Sequence, residues 1–122
     1  MRILIAALIL LSSASIYAQQ AVLDREAVPF NATGTVKFTS PIRDAPPHGP
    51  FNLFLGEEIK STYQDQKVKI VGKKTYNGFK GTHIWYQLES ADNKSGNANK
   101  PWWVYGGLEG ETPQIKIDNI QK

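Results

Sequence analysis

The sequence predicts an all-β domain folded as a small barrel or sandwich. Three observations carry that prediction. Its apolar segments are short and alternate with a period of two. Glycine- and proline-rich turns separate them, and residues 19–122 contain no sustained helical spacing of apolar residues.

The elements follow in chain order. Residues 33–38 alternate, with Val36 and Phe38 on one face, and form the first expected strand. Residues 41–50 contain Pro41, Pro46, Pro47 and Pro50, which remove backbone donors and fix φ, so this stretch is an ordered or semi-rigid loop. Gly56-Glu57-Glu58-Ile59 marks a turn into a strand. Residues 67–71 make a two-period strand ended by Gly72, and Asn77-Gly78 is a tight-turn dipeptide. His83-Ile84-Trp85-Tyr86-Gln87-Leu88, rich in aromatic and branched residues, is expected as a central strand. Residues 90–100 are polar and form a long surface loop. Residues 102–105 return to strand until Gly106-Gly107 breaks it, and residues 114–117 supply a last short strand.

The N-terminus has the layout of a secretory signal peptide over residues 1–18. Arg2 precedes the apolar run 3–11, and a small-residue stretch ends at Ala18. That run is too short to span a bilayer, and the rest of the chain is less apolar still. A periplasmic or secreted location follows, with no membrane span after cleavage. Residues 19–32, without clear periodicity, are expected as an N-terminal arm, and residues 33–122 as the domain. The chain has no cysteine, so lipid attachment through a thiol and disulfide bracing are both excluded. An exported domain without cross-links needs a packed core, which three Trp, five Tyr and five Phe can supply.

Removing Arg2 with the leader lowers the formal charge from +3 to +2. That mild surplus lacks the clustering of a nucleic-acid interface. Lys67, Lys69, Lys73 and Lys74 fall among valines and an isoleucine, as on the solvent face of a strand.

Three landmarks in order resemble the bacterial SH3-like family of exported cell-wall proteins. They are Thr35-Val36 with Pro41-Ile42-Arg43-Asp44-Ala45-Pro46, then Ile84-Trp85-Tyr86-Gln87-Leu88, then Trp103-Val104-Tyr105-Gly106-Gly107. The last is similar to the family's closing motif of Trp-Val, a variable residue and Gly. The resemblance spans roughly residues 33–110 and implies an SH3-like barrel of five to seven short antiparallel strands. Trp102 departs from the pattern, standing where the family usually has glycine.

Catalytic chemistry is sparse. Cysteine nucleophiles are absent, and His48 and His83 are the two histidines, neither flanked by residues that would fix an imidazole for base catalysis. Zinc needs more ligands than this pair offers, Glu57 and Glu58 point to opposite faces if on a strand, and no phosphate loop exists. The expectation is a protein that is not an enzyme and carries no cofactor or metal.

Aromatic residues favour binding. On the period-two rule Trp85 and Gln87 share one face while Tyr86 and Leu88 share the other; Trp102 goes with Val104, and Trp103 with Tyr105. One set fills the core, and the pattern does not choose which. So small a domain leaves one or two of Trp85, Tyr86, Trp102, Trp103 and Tyr105 facing solvent. Trp102 is the leading candidate for a surface platform that stacks on a ligand, with Trp85, Tyr105, Tyr76 and Tyr63 as further candidates. Arg43 and Asp44 are placed to frame its edge, the alternative for Arg43 being a salt bridge that holds the loop. The expected function is a non-catalytic periplasmic or secreted module that recognises a peptide-like ligand, from cell-wall peptidoglycan or a protein partner, and no nucleic acid. The alternative is a small inhibitor or immunity-type protein that blocks a toxin or hydrolase.

Overall fold

The computed structural model describes residues 21–90, 93 and 100–121. The expected signal peptide and most of the 90–100 loop lie outside them. Seven strands make one antiparallel sheet: β1 (Val28–Val36), β2 (Pro41–Arg43), β3 (Glu58–Ser61), β4 (Lys67–Gly78), β5 (Gly81–Leu88), β6 (Trp102–Leu108) and β7 (Ile115–Ile120). Their order is β3-β2-β6-β5-β4-β1-β7, with β3 and β7 at the edges. The sheet is all-β architecture without closure, yet it is strongly curled. Three strands lie between β6 and β7 in that order, about 19 Å at the usual strand spacing if flat. Gln114, next to β7, nevertheless donates its N–H to Gly106 O in β6 at 3.0 Å.

Irregularities in the long strands produce the curl. β1 shifts register between Pro29 and Ala32, β4 between Ile70 and Gly72, and β5–β6 between Ile84 and Trp85. Such bulges bend a strand and increase its twist. The concave side collects Ala32, Val36, Ile42, Val68, Ile70, Tyr86, Leu88, Val104 and Ile115 into one core.

Six elements differ from the sequence expectation, each for a local reason. The last strand spans Ile115–Ile120, longer than expected because it pairs with β1 as far as Ala32. The expected proline-rich loop opens as strand β2, since Pro41 is its first residue and faces only β3, pairing with β6 starting at Ile42. The first strand begins at Val28, inside the expected arm, and ends at Val36. Pro29 is tolerated because pairing with β7 starts only at Ala32, so the sheet is one strand narrower at the proline. β4 does not stop at Gly72. A Cβ there would lie 2.8 Å from both Leu23 and Ala27, so the glycine admits the preceding segment against the strand. Asn77-Gly78 is not the turn; Gly78 pairs with Gly81, and Phe79-Lys80 form the two-residue tip. Gly106-Gly107 does not break β6, because Gly106 makes room for the Tyr86 ring and Gly107 adopts φ 114 within the strand.

Neither aromatic set is left to solvent: Trp85, Tyr86 and Trp103 are buried, while Trp102 and Tyr105 are half-exposed. Tyr86, Leu88 and Val104 face the concave core. Trp85, Gln87 and Trp103 alternate to the convex face, where Trp103 and Gln87 are fully buried and Trp85 is 7% exposed. Residues 21–27 cross this face as a strap. Gln87 fixes it through two bonds, accepting from Asp24 N at 2.9 Å and donating Nε2 to Val22 O at 2.8 Å. Trp103 Nε1 donates to Asp24 Oδ2 at 2.8 Å.

Candidate functional site

The proline-rich loop joins the strap over the convex face. Lys74, whose register partner on β5 is Trp85, donates Nζ to Pro47 O at 2.7 Å and to Glu26 Oε2 at 3.0 Å. One ammonium thus ties sheet, loop and strap. The Lys74 hydrogen bond, then its charge, holds the Glu26 carboxyl below its usual range. Pro46 and Pro47 are fully buried at this junction. His48 donates Nδ1–H to Pro46 O at 2.8 Å, since a carbonyl only accepts. Its tautomer is therefore fixed by the loop itself, support that the flanking sequence does not reveal.

Beyond the cover, the convex face carries a row of half-exposed rings. Tyr76 on β4 and His83 on β5 are register partners and stack with centroids 5.0 Å apart. Tyr105 on β6 packs 5.8 Å from His83 and 5.3 Å from Trp85. His83 Nδ1 and the Tyr105 hydroxyl are hydrogen-bonded at 2.8 Å. Burial, then the nearby Tyr76 phenol and Glu111 carboxylate, pushes the Tyr105 phenol above its ordinary pKa, so it stays neutral at physiological pH. Gly78 lets the row form: a Cβ there would sit 2.6 Å from His83 Nε2. At the buried end, Trp85 Nε1 finds no hydrogen-bond partner among the described residues. Leaving such a group unpaired costs about 1–3 kcal/mol.

The structure thus brings Trp85, Tyr105 and Tyr76 together and adds His83. Trp102 does not join them. It lies on the concave side opposite Leu88, half-buried against the core, with Lys60 Nζ 4.6 Å above its ring. Tyr63 is 64% exposed in the β3–β4 turn, with its N–H bonded to Gln66 Oε1, outside the row. Arg43 holds the proline-rich loop, through Nη1 to Gly56 O at 2.9 Å rather than through a salt bridge. Asp44 Oδ1 accepts Glu57 N at 2.8 Å at the same neck. Both frame the loop base and not the row.

The row offers flat apolar faces flanked by hydroxyl and imidazole groups, suited to stacking on extended peptide or sugar surfaces. Among the described residues no three His, Asp or Glu side chains gather as metal ligands. Compared with known proteins, the chain matches no family model, no curated protein and no solved structure.

Proposed function

We propose that this chain is an exported, non-catalytic binding module with an SH3-like barrel, and that it recognises a peptide-like ligand through the Tyr76–His83–Tyr105 row. One observation carries the reading: three side chains from three strands form a continuous half-exposed row on a buried Trp85. Neighbouring strands hold the rings in place, so ligand stacking costs little ordering of the protein. The leader-like residues 1–18 and the landmark motifs support export and the barrel family. A stem peptide of peptidoglycan or a proline-containing segment of a partner fits such a surface.

The test uses the mature chain beside Tyr76→Ala and Tyr105→Phe, with purified sacculi, soluble muropeptides and proline-rich peptides as probes. Binding should shift the NMR signals of Tyr76, His83 and Tyr105 and weaken at least about tenfold in Tyr76→Ala, the loss of one stacked aromatic. Tyr105→Phe keeps the ring and removes the hydroxyl, so a small effect there assigns affinity to stacking. Shifts confined to other surfaces, or no shifts with any probe, would sink the proposal.

A further inference from the structure

The loop between β2 and β3 ends in an apolar finger, residues 49–55. Phe51 is 90% exposed, Leu53 74%, Phe54 59% and Leu55 55%. Exposed apolar residues this concentrated mark an interaction surface. The finger is also built rather than loose. His48 and Phe54 exchange backbone hydrogen bonds of 2.9 and 3.1 Å, and Asn52 N donates to Gly49 O at 3.0 Å. Gly49 has φ 75, and a Cβ there would collide with the Phe54 ring. Phe51 and Asn52 take φ of 57 and 54. A left-handed conformation is costly for a bulky aromatic residue, so the fold spends strain to hold Phe51 outward.

The finger's base is acidic. Asp44, Glu57 and Glu58 are exposed, and none is in an ion pair among the described residues. The neighbouring Arg43, bonded to Gly56 O and opposite Glu58, keeps its positive charge, and the three carboxylates still outnumber it. An anionic lipid surface would repel this collar. Elsewhere the chain carries an apolar groove edged by lysines. Its volume is about 540 Å³, and it is lined by Phe38, Pro113, Thr112 and Gln64, with Lys37 and Lys116 beside them. Lys37 and Lys116 are the charged residues of this lining, which holds no carboxylate. Next to it, a hydrogen bond from Thr35 and then the charges of Lys67, Lys116 and Lys37 hold the Asp118 carboxyl below its usual pKa range.

We propose that the finger of one copy docks into this groove on a second copy, with Phe51 against Phe38 and Pro113 and the acidic collar facing Lys37 and Lys116. Polarity and charge match on both sides. The contact is heterologous, one patch against a different one, so it propagates head to tail instead of closing in a symmetric dimer. It uses neither the aromatic row nor its ligand, and the two readings fail independently.

Sedimentation velocity on the mature chain, from low micromolar to submillimolar concentration, tests the contact. Average mass should rise with concentration and fall with added salt, as charge screening requires. Phe51→Asn relieves the left-handed strain, so it should fold at least as stably while weakening association at least tenfold. The double variant Lys37→Glu/Lys116→Glu should weaken it likewise by opposing the collar. An equimolar mixture of the two variants should restore association but stop at dimers, since one supplies the groove and the other the finger. Wild type that stays monomeric throughout, association surviving either variant, or a mixture that remains monomeric would each overturn the proposal.

Discussion

From Trp85 to Leu88 on β5 and at Trp103 and Val104 on β6, both faces are buried, by different means. On the concave face Tyr86, Leu88 and Val104 pack against side chains from four other strands, β1, β2, β4 and β7. On the convex face Trp85, Gln87 and Trp103 are covered by a strap and a proline-rich loop, neither a ladder partner of the sheet beneath. Concave burial is spread over many apolar contacts, so no single bond dominates it. The convex cover hangs on a few polar ties: Asp24 to Trp103, Gln87 to Val22 and Asp24, and Lys74 to Glu26 and Pro47. The first kind of burial fails by losing volume, the second by losing one acceptor or one charge.

Replacing Trp103 by alanine attacks the convex face by volume and should have the largest effect. The side chain is fully buried, and its removal should cost about 3–5 kcal/mol in urea unfolding. A loss under about 1 kcal/mol would show that the cover collapses freely onto the gap, contrary to a rigid strap.

Asp24→Ala attacks the same face through its polar tie. Trp103 Nε1 loses its acceptor, and the cost should be about 1–3 kcal/mol. Native-state hydrogen exchange should localise the damage. The Val22 and Ala27 amides, bonded to Asn93 O and Asp24 O, should exchange faster while the β4–β5 ladder amides keep their protection. Equal acceleration on both faces would show that the two covers do not fail differently.

Glu26→Gln gives the smallest expected effect and the sharpest test of the charge tie. The folded Glu26 carboxyl titrates below its usual value because of Lys74. Its stabilisation is therefore complete above the ordinary carboxylate range and is lost as pH falls through the depressed folded value. The side chain is 38% exposed, so solvent screening limits this to a few tenths of a kcal/mol. Glu26→Gln should slightly lower the unfolding midpoint at neutral pH and remove part of the loss seen on the acid side. An unchanged acid limb in the variant would count against the Lys74 tie.

The candidate row was only partly legible in the sequence, and one turn explains why. Tyr76 and His83 are partners across a hairpin centred on Phe79-Lys80. Placing the turn at Asn77-Gly78 breaks that pairing and leaves His83 as an isolated strand-end histidine. Gly78 is needed for another purpose, the space beside the His83 ring. Gly72 and Gly106 misdirect in the same way. Each resembles a strand break in the sequence, but lies within a strand where a strap or a ring approaches the backbone.

By itself the sequence determined the all-β class, the central position of the β5 segment and the grouping of Trp85 with Gln87 and of Trp102 with Val104. Those features follow from local pattern, because side chains alternate along an extended chain whatever it packs against. Only the tertiary structure decided that both faces are buried, that Trp102 belongs to the concave side, and that His83 completes the aromatic row. These depend on strand order, bulges and the strap at residues 21–27, whose ties to Gln87 and Trp103 span more than sixty positions of chain. No local period encodes contacts at that separation.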